Sequence, residues 1–310
     1  MSLNRFQIEV ATGRFTLPVV ILVCLLLWGV SMHQWSDLIS LGITAFIGYL
    51  MIEANTAFTL IRTRTALPVC FYWYLASSLC FIHPFEWSHF APLAFMLSIF
   101  NLFLSYESPS ATTSIYHSFL FIGLGSWCFP QIVFFTPLLF ICMFPLRSLS
   151  IKTFFAAILG LLTPYWFLFG YAFYFDRIPL FYEPLQELFH FCPMDYSQLS
   201  FPEIVSWIGC TLFLIIFGIH YSYISYLDKI RTRIYHSFLI YSSMATALFG
   251  TLQPQHLPIL LPIQLIFLSF LGGHLFTLTR NRFSGILFIV TFIMMILLTL
   301  YNVWMQYFNS

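Results

Sequence analysis

The sequence contains very few charged residues. Only 7% of its 310 residues are Asp, Glu, Lys or Arg, and 60% are hydrophobic, whereas a soluble globular domain usually carries about 25% charged residues. A soluble fold of this length could not cover so much apolar surface with so few charges. The shortage of charge therefore excludes an ordinary soluble domain and predicts a protein embedded in a lipid bilayer. The net charge of +1 gives no indication of nucleic-acid binding.

The chain also lacks the motifs of cofactor and metal binding. Its seven cysteines form no CxxC pair and show no metal-ligand spacing, and six of them lie in apolar segments as small hydrophobic residues. No glycine-rich nucleotide-binding loop is present. Residues 1–14 do not read as a cleavable signal peptide, so the first apolar run is interpreted as a membrane helix. We expect no disulfide framework, no metal and no cofactor.

Long apolar runs are abundant instead. Residues 16–32 and 204–219 are almost unbroken apolar stretches, unlike the alternating segments of a membrane β-barrel. Because the main chain must be hydrogen-bonded internally within lipid, such runs predict helices. The sequence predicts an all-α, polytopic integral membrane helix bundle forming a single transmembrane domain over residues 1–310. About eleven transmembrane helices are expected at 16–32, 37–54, 66–83, 89–105, 113–129, 131–146, 153–175, 204–226, 234–252, 257–278 and 284–307.

The pair 113–129 and 131–146 is short and is split by Pro130. It can be two spans or a re-entrant hairpin, and both alternatives leave the rest of the topology unchanged.

The distribution of basic residues predicts the orientation. Cytoplasmic loops of membrane proteins carry an excess of Lys and Arg. With the N-terminus inside, eleven of the twelve basic residues fall on the cytoplasmic side of the predicted spans, and only Arg177 falls outside. A miscounted helix would scramble this alternation downstream. We therefore expect the N-terminus in and the C-terminus out.

The longest connection, residues 176–203, is external in this scheme. It is acidic and rich in aromatic residues and proline, and Leu185, Leu188 and Phe189 share one helical face. This pattern predicts an external loop or interfacial helix on the outer membrane surface. Its polar residues are candidates for contact with a ligand or partner: Asp176, Arg177, Glu183, Glu187, His190 and Asp195. The alternative is a solvated cap anchored by aromatic side chains.

Ionisable residues within membrane helices are costly and are functional candidates by default, yet the sequence places no carboxylate or arginine at a helix centre. A polar cluster is expected at the cytoplasmic end of the second span, and its members are Glu53, Asn55, Arg62 and Arg64. The cluster can be a helix-end ion pair or a gate or cytoplasmic ligand contact. His220 and His274 are interpreted as bundle histidines with a hydrogen bond, or as a proton relay.

The predicted outer face carries the few residues suited to acid–base chemistry. Asp37 begins the second span, and Glu86 lies between His83 and His89. A carboxylate beside a histidine is the minimum for general acid–base catalysis, so Asp37 and Glu86 are weak catalytic candidates. The spacing of His83, Glu86 and His89 does not have the HExxH form of a zinc site.

Several short motifs carry a resemblance to a known family. They are Asn55, Arg62-Thr63-Arg64 before Leu67-Pro68, Tyr116-His117-Ser118 leading into Gly123-Leu124-Gly125-Ser126, Phe129-Pro130, and Gly160-Leu161-Leu162-Thr163-Pro164-Tyr165. This set resembles an uncharacterised family of multi-spanning inner-membrane proteins of Bacteroidetes, closely over the first half of the chain and loosely over the rest. The resemblance implies the inner membrane of a Gram-negative envelope and implies no activity.

A fainter similarity involves the middle of the chain. The run Gly123-Leu124-Gly125, the basic residues Arg147 and Lys152, and then Gly160 and Pro164 look like part of the membrane core of GT-C glycosyltransferases. Those enzymes take sugar from a polyprenyl-phosphate donor at the outer leaflet, and their acid lies in a long first external loop. Here that loop spans only residues 33–36, with Asp37 at the next helix start.

Three functions follow as expectations. The first is an inner-membrane envelope protein that handles a lipid-linked or apolar ligand, or a partner protein, at its external face, especially through residues 176–203. The second is a GT-C-like glycosyltransferase or polymerase using a polyprenyl-linked sugar. The third is a secondary transporter with His220, His274, Asn101 and Gln264 as its polar path.

Overall fold

The fold is entirely helical over the part of the chain that is described. The computed structural model describes residues 3–32, 34–108, 110–279 and 281–308, and the side chains of residues 3–5 and 307–308 are not described. Helices account for 81% of the chain, and no strand occurs among the described residues. The predicted all-α class is therefore confirmed.

The helices group into two compact units. The first unit consists of the described residues up to Glu86 together with those from Met194 onward, and the second consists of Trp87–Pro193. The prediction of a single transmembrane domain stays a prediction. The first unit contains α1 (Leu3–Thr12), α2 (Thr16–Ser31), α3 (Asp37–Phe58), α4 (Leu67–Ser78), α10 (Phe201–Ile224), α11 (Ile230–Leu252), α12 (Leu257–Leu278) and α13 (Arg282–Phe308).

The centre of the first unit is α12. This helix is apolar all round and is buried along almost its whole length, which is typical of a core helix. It packs against α10, α4, α11 and α13. Gly273 allows Pro68 of α4 to approach closely, because a Cβ at this position would meet the Pro68 ring. In contrast, α2 and α13 expose many large apolar side chains, as expected for surfaces that face lipid.

The N-terminal helix bends sharply away from the bundle. The axes of α1 and α2 differ by 81°. Gln7 of α1 is only 1% exposed, and its side-chain amide donates to the carbonyl oxygens of Phe276 (2.7 Å) and Thr279 (2.8 Å). These carbonyls lie at the C-terminal end of α12, where the helix itself offers no donor. The α1 helix therefore caps the end of the core helix.

The second unit contains α5 (Phe90–Leu104), α6 (Thr112–Gly125), α7 (Thr136–Met143), α8 (Ile151–Tyr174) and α9 (Pro179–Leu188). Its tightest pairing joins α6 and α8. A Cβ on Gly123 would lie 2.6 Å from the Leu161 carbonyl oxygen, and one on Gly160 would collide with the Tyr116 carbonyl oxygen. The two glycines therefore permit close approach of the backbones.

All eleven predicted spans correspond to helical segments. By length and composition, six segments among the described residues can cross a bilayer, or seven if the bent pair α1–α2 counts as one span. The six are Asp37–Phe58, Trp87–Leu104, Ile151–Tyr174, Phe201–Leu227, Pro254–Leu278 and Arg282–Gln306. The bilayer location is therefore confirmed, whereas the count of eleven and the orientation stay predictions.

Of the remaining predicted spans, α11 has 23 residues but is not apolar enough, and the others are short or broken. Helix α4 has 12 residues and α6 has 14, so α6 is about 21 Å long, shorter than the roughly 30 Å hydrocarbon core. Residues 131–146 form a 3₁₀ segment, Pro130–Phe135, followed by the 8-residue α7. The break at Pro130 is thus present, with a short helix on each side.

The short helix predicted in the longest connection is present as α9, and its place on the outer membrane surface stays a prediction. None of its side chains is buried. It packs against the 3₁₀ segment Pro130–Phe135 of the same unit, and the Gln131 side chain donates to the Glu187 carbonyl oxygen over 3.0 Å. The rings of Phe134 and Phe191 lie 5.5 Å apart. These contacts fix the loop to the unit without using its charged side chains.

The two glycines of α8 provide a matched test of this packing. Replacing Gly160 with Ala should destabilise the protein by about 1–3 kcal/mol, because the added methyl group overpacks the contact with Tyr116. Replacing Gly170, which has no neighbour within 4 Å of a built Cβ, should leave the melting temperature unchanged or raise it slightly. Thermal unfolding in detergent measures both variants. Equal melting temperatures would contradict the close α6–α8 contact.

Candidate functional site

The catalytic candidate Asp37 binds main-chain groups at the predicted outer end of the first unit. Its side chain accepts hydrogen bonds from the N–H of Gln34 at 3.0 Å and from the N–H of Phe85 at 3.2 Å, and the residue is 4% exposed. The carboxylate thus ties the turn before α3 to the loop after α4. Glu86, the second candidate, is exposed. This arrangement assigns Asp37 a structural role.

His83 is also engaged in packing. The residue is fully buried, and its Nε2 donates to the Ala76 carbonyl oxygen over 3.3 Å. Since Nε2 carries the proton, Nδ1 accepts from the Ser31 hydroxyl. The Trp28 ring stacks on the imidazole with 3.9 Å between centroids. Within the described residues, no group of three or more His, Cys, Asp or Glu side chains could hold a metal ion.

The six predicted contact residues of the external loop are all exposed. No ion pair within 4.0 Å joins any of them to another described residue. Hydrogen bonds from Ser197 hold the pKa of the Asp195 carboxyl below its ordinary value. The structure displays Asp176, Arg177, Glu183, Glu187 and His190 as exposed polar residues of the second unit, and Asp195 as an exposed residue of the first.

A cavity lies near the same predicted outer end of the first unit. Its volume is about 280 Å³. Asn302 of α13 is 2% exposed and lines the cavity; its amide group donates to the Ser78 carbonyl (3.0 Å) and the Ser206 hydroxyl (3.3 Å). The Asn302 carbonyl oxygen has no hydrogen-bond partner among the described residues. We name this space the Asn302 cavity, lined by Ser31, Cys80, Phe81, Pro84, Ser200, Pro202, Asn302, Met305 and Gln306.

The predicted cytoplasmic-end cluster largely lines a cleft at the C-terminal end of α3. Asn55, Arg62 and Arg64 border this space of about 830 Å³, which we name the arginine cleft. Glu53 is exposed and does not line the cleft, and it forms no ion pair within 4.0 Å with a described residue. The structure thus places three of the four residues on one surface, without the ion pair that the sequence suggested.

A second polar group lies where α10, α11 and α12 meet. We name it the histidine cluster, and its members are Tyr221, Asp228, His236 and His274. His274 Nε2 lies 2.8 Å from Asp228 Oδ2, with side-chain exposures of 3% and 4%. The Tyr221 ring stacks on His236 at 4.6 Å, and His274 meets both rings edge-on at 4.8–4.9 Å.

The hydrogen bonds fix one tautomer in this cluster. His236 Nδ1 lies 3.1 Å from the Thr232 carbonyl oxygen, which can only accept, so Nδ1 carries the proton. His236 Nε2 and the Tyr221 hydroxyl have no partner among the described residues. Thr232 also donates to the Thr59 carbonyl over 3.4 Å, and Thr59 lines the arginine cleft. The cluster is therefore next to the cleft.

Opposing effects act on Asp228, which lies in the connection between α10 and α11. Burial raises the pKa of its carboxyl, but the hydrogen bond from His274 and electrostatic interactions with His274, His236 and Arg62 lower it. The net effect is a pKa below the ordinary value. A carboxylate in this place is thus kept ionised by its neighbours.

Sequence reasoning missed the Asp228–His274 pair. It considered His220 and His274 as bundle histidines because no carboxylate stood at helical spacing, whereas Asp228 comes from a connection 46 residues earlier. Partners on different helices are not visible from spacing within one helix. The only available signal was an acidic residue directly before a run of basic ones, Lys229, Arg231 and Arg233.

Comparisons of this chain with protein-family models, curated proteins and solved structures find no match. The function is therefore argued from its own residues.

The Asp228–His274 pair predicts a specific acid response. Because the folded-state pKa of Asp228 is lowered, its stabilisation is complete above the unfolded pKa of about 3.9 and is lost as pH falls through the folded value. We expect Asp228→Asn to lower the melting temperature at pH 7 by several degrees, and the gap from wild type to narrow as pH falls from about 5 to about 3. Thermal unfolding across this range measures it. Asp176→Asn, at an exposed carboxyl, is the control, and a constant gap for Asp228→Asn would refute the assignment.

Proposed function

We propose that this chain is a multi-pass protein of the inner membrane of a Gram-negative envelope that holds a lipid-linked or apolar ligand at its external end. The bilayer location rests on the apolar helices, and the choice of membrane rests on the resemblance described above. The lipid bilayer is its first partner. No group of described residues at the predicted outer face is arranged for acid–base chemistry, so we propose binding rather than catalysis.

The proposed topology is eleven spans with the N-terminus in. Contacts within each unit support it, because ends assigned to one side meet each other. In the first unit the predicted inner residues Thr59 and Thr232 are bonded, as are the predicted outer residues Asn302 and Ser78, at the end of α4. In the second unit the predicted inner residues Glu107 and Arg147 form an ion pair at 3.4 Å.

The Asn302 cavity is the observation that carries the proposal. A buried amide carbonyl without a donor costs free energy, and a ligand that offers an N–H or O–H would satisfy it. The neighbouring Phe81, Pro84 and Met305 suit an apolar body. Pockets that combine apolar walls with one or two polar groups are typical of ligand sites. The exposed charges of residues 176–203 stay candidates for contact with a partner protein.

The two other functions receive less support. For a polyprenyl-linked glycosyltransferase, the acid Asp37 would have to give up its bonds to main-chain N–H groups. For a transporter, the polar residues should form one network. Gln264 instead bonds to Thr211 and lies about 15 Å along α12 from His274, and Asn101 bonds to its own helix. The Asp228–His274 pair is the observation that favours transport, and it lies near one end of α12.

The orientation is tested by cysteine labelling in intact cells after removal of the outer membrane. Gln186→Cys in α9 and Lys229→Cys before α11 are both exposed positions. With the N-terminus inside, a membrane-impermeant maleimide should label Gln186→Cys at once and Lys229→Cys only after the cells are lysed. The wild-type chain, with its seven cysteines, provides the background. Immediate labelling of Lys229→Cys would show that the protein has the opposite orientation, with the N-terminus outside.

The external ligand is tested by native mass spectrometry of protein purified in mild detergent. We expect a bound polyprenyl-linked sugar, or another apolar species that carries an N–H or O–H group, in the wild type. Its occupancy should be at least ten-fold lower in Asn302→Leu, which removes the buried carbonyl at similar volume. Asn101→Leu is the matched control, because Asn101 bonds only to its own helix. The proposal would be wrong if the wild type carried only bulk lipid. It would also be wrong if Asn302→Leu and Asn101→Leu had equal ligand occupancy.

A further inference from the structure

Among the described residues, the arginine cleft is lined by two positive charges and by no negative one. It lies at the C-terminal end of α3, and α3 spans about 33 Å from Asp37 at the predicted outer end. The charged residues of its lining are Arg62 and Arg64, and no carboxylate lines it. Both side chains are exposed, and neither makes an ion pair within 4.0 Å with a described residue. The cleft is therefore electrostatically suited to an anion.

The loop that bears these arginines is held in place by other side chains. Asn55 accepts from the Ile61 N–H over 3.0 Å. The Thr65 hydroxyl donates to the Ala11 carbonyl over 2.6 Å and accepts from the Leu67 N–H over 3.1 Å. Thr59 takes a left-handed conformation, with φ of 49°, and starts the turn. The loop is thus fixed between the α1–α2 bend and α4 before any ligand binds.

The same loop leaves several hydrogen-bond donors without acceptors. None of the main-chain N–H groups of Arg62, Thr63 and Arg64 bonds to a main-chain acceptor. The Thr63 hydroxyl is buried and has no partner among the described residues, and Thr63 lines the cleft. Helix α4 begins directly after the loop, so the positive end of its dipole also faces this region. Guanidinium and main-chain N–H donors therefore meet here, and the unpaired Thr63 hydroxyl is buried beside them.

Phosphate is the anion that matches these donors best. Arg guanidinium groups bind phosphate through two parallel hydrogen bonds, and main-chain N–H groups supply further donors at such sites. A carboxylate would satisfy fewer of these donors, because it has only two oxygens. The volume of about 830 Å³ is larger than a phosphate group requires, and Leu17 and Ile52 in the lining provide apolar wall for the rest of a ligand.

Neighbouring charges leave the site positive. Asp228 interacts electrostatically with Arg62, but its carboxylate is already hydrogen-bonded to His274. Arg233 of α11 lies close enough to Tyr221 to act on that side chain, and it adds positive charge on the same side. Glu53 of α3 is exposed away from the lining. The role of Arg62 and Arg64 as cytoplasmic topology signals explains their sign and side, but not the fixed loop with its free donors.

We propose that the arginine cleft is a binding site for a phosphate group, carried by a lipid headgroup or by a soluble phosphate ester. The site is separate from the Asn302 cavity, because it lies at the other end of α3. It does not depend on the function proposed above. A lipid could reach it laterally, since α2 beside the cleft exposes Leu22 and Leu25 to the surroundings. A soluble ester could reach it from the cytoplasm.

The test uses the full chain in nanodiscs of phosphatidylcholine, with and without phosphatidic acid, and glycerol phosphate as the soluble probe. Binding is followed by phosphorus NMR line broadening and by native mass spectrometry. We expect Arg62→Gln and Arg64→Gln each to weaken phosphate binding about ten-fold, since each removes a charge-assisted pair of hydrogen bonds. Arg147→Gln is the matched control, because Arg147 is exposed in the other unit and pairs with Glu107.

Variants at a second position distinguish loss of phosphate binding from loss of folding. Thr56 is exposed and lines the cleft, so Thr56→Glu places a negative charge there without touching the loop and should weaken phosphate binding, whereas Thr56→Gln should not. Binding should also fall as salt rises. Phosphatidic acid binding that glycerol phosphate does not displace assigns the site to a lipid, and equal displacement assigns it to a soluble ester. The proposal is overturned if the wild type binds no phosphate. It is also overturned if all the cleft variants bind phosphate with the same affinity as the Arg147→Gln control.

Discussion

The constraint on which the rest of the structure depends is the hydrogen bonding of the main chain at the helix ends. Within a bilayer no water is present to pair the last N–H and C=O groups of a helix, so side chains must do so. Gln7 bonds to the end of α12 and Asn302 to the end of α4. Asp37 holds N–H groups of two turns, and Asn55 holds one after α3. The scarce polar side chains are therefore concentrated at the helix ends.

This concentration explains why the histidine cluster and the Asn302 cavity lie near the ends of the bundle. A carboxylate at the bilayer centre would be costly, whereas Asp228 lies in a connection and is paired with His274 at 2.8 Å. An Asn side chain that donates its N–H groups to a helix end can also keep a carbonyl oxygen without a hydrogen-bond partner. Asn302 uses both N–H donors on the protein and keeps an unpaired carbonyl beside a cavity. A residue required by the fold can thus supply a recognition group.

The sequence predicts the helices well, because apolar runs, glycines and basic residues act over short distances. The eleven apolar segments and the short helix α9 follow from such local signals. The bend between α1 and α2 and the break into short helices around Pro130 are less visible. The Asp228–His274 pair and the Asn302 cavity join residues distant along the chain. Only helix packing creates them, and composition carries no trace of it.

Local sequence proximity also explains why the sequence suggests an ion pair in the cytoplasmic-end cluster, which the structure does not have. Glu53 and the two arginines suggest an ion pair because opposite charges stand close along the chain. In the structure, α3 ends before the arginines and the chain turns at Thr59, so Arg62 and Arg64 face a cleft while Glu53 stays on the outside of its helix. An arginine that is needed only to mark the cytoplasmic side could lie anywhere on that surface. Two arginines fixed beside unpaired donors are more specific than orientation requires, and this excess is the physical argument for a bound anion.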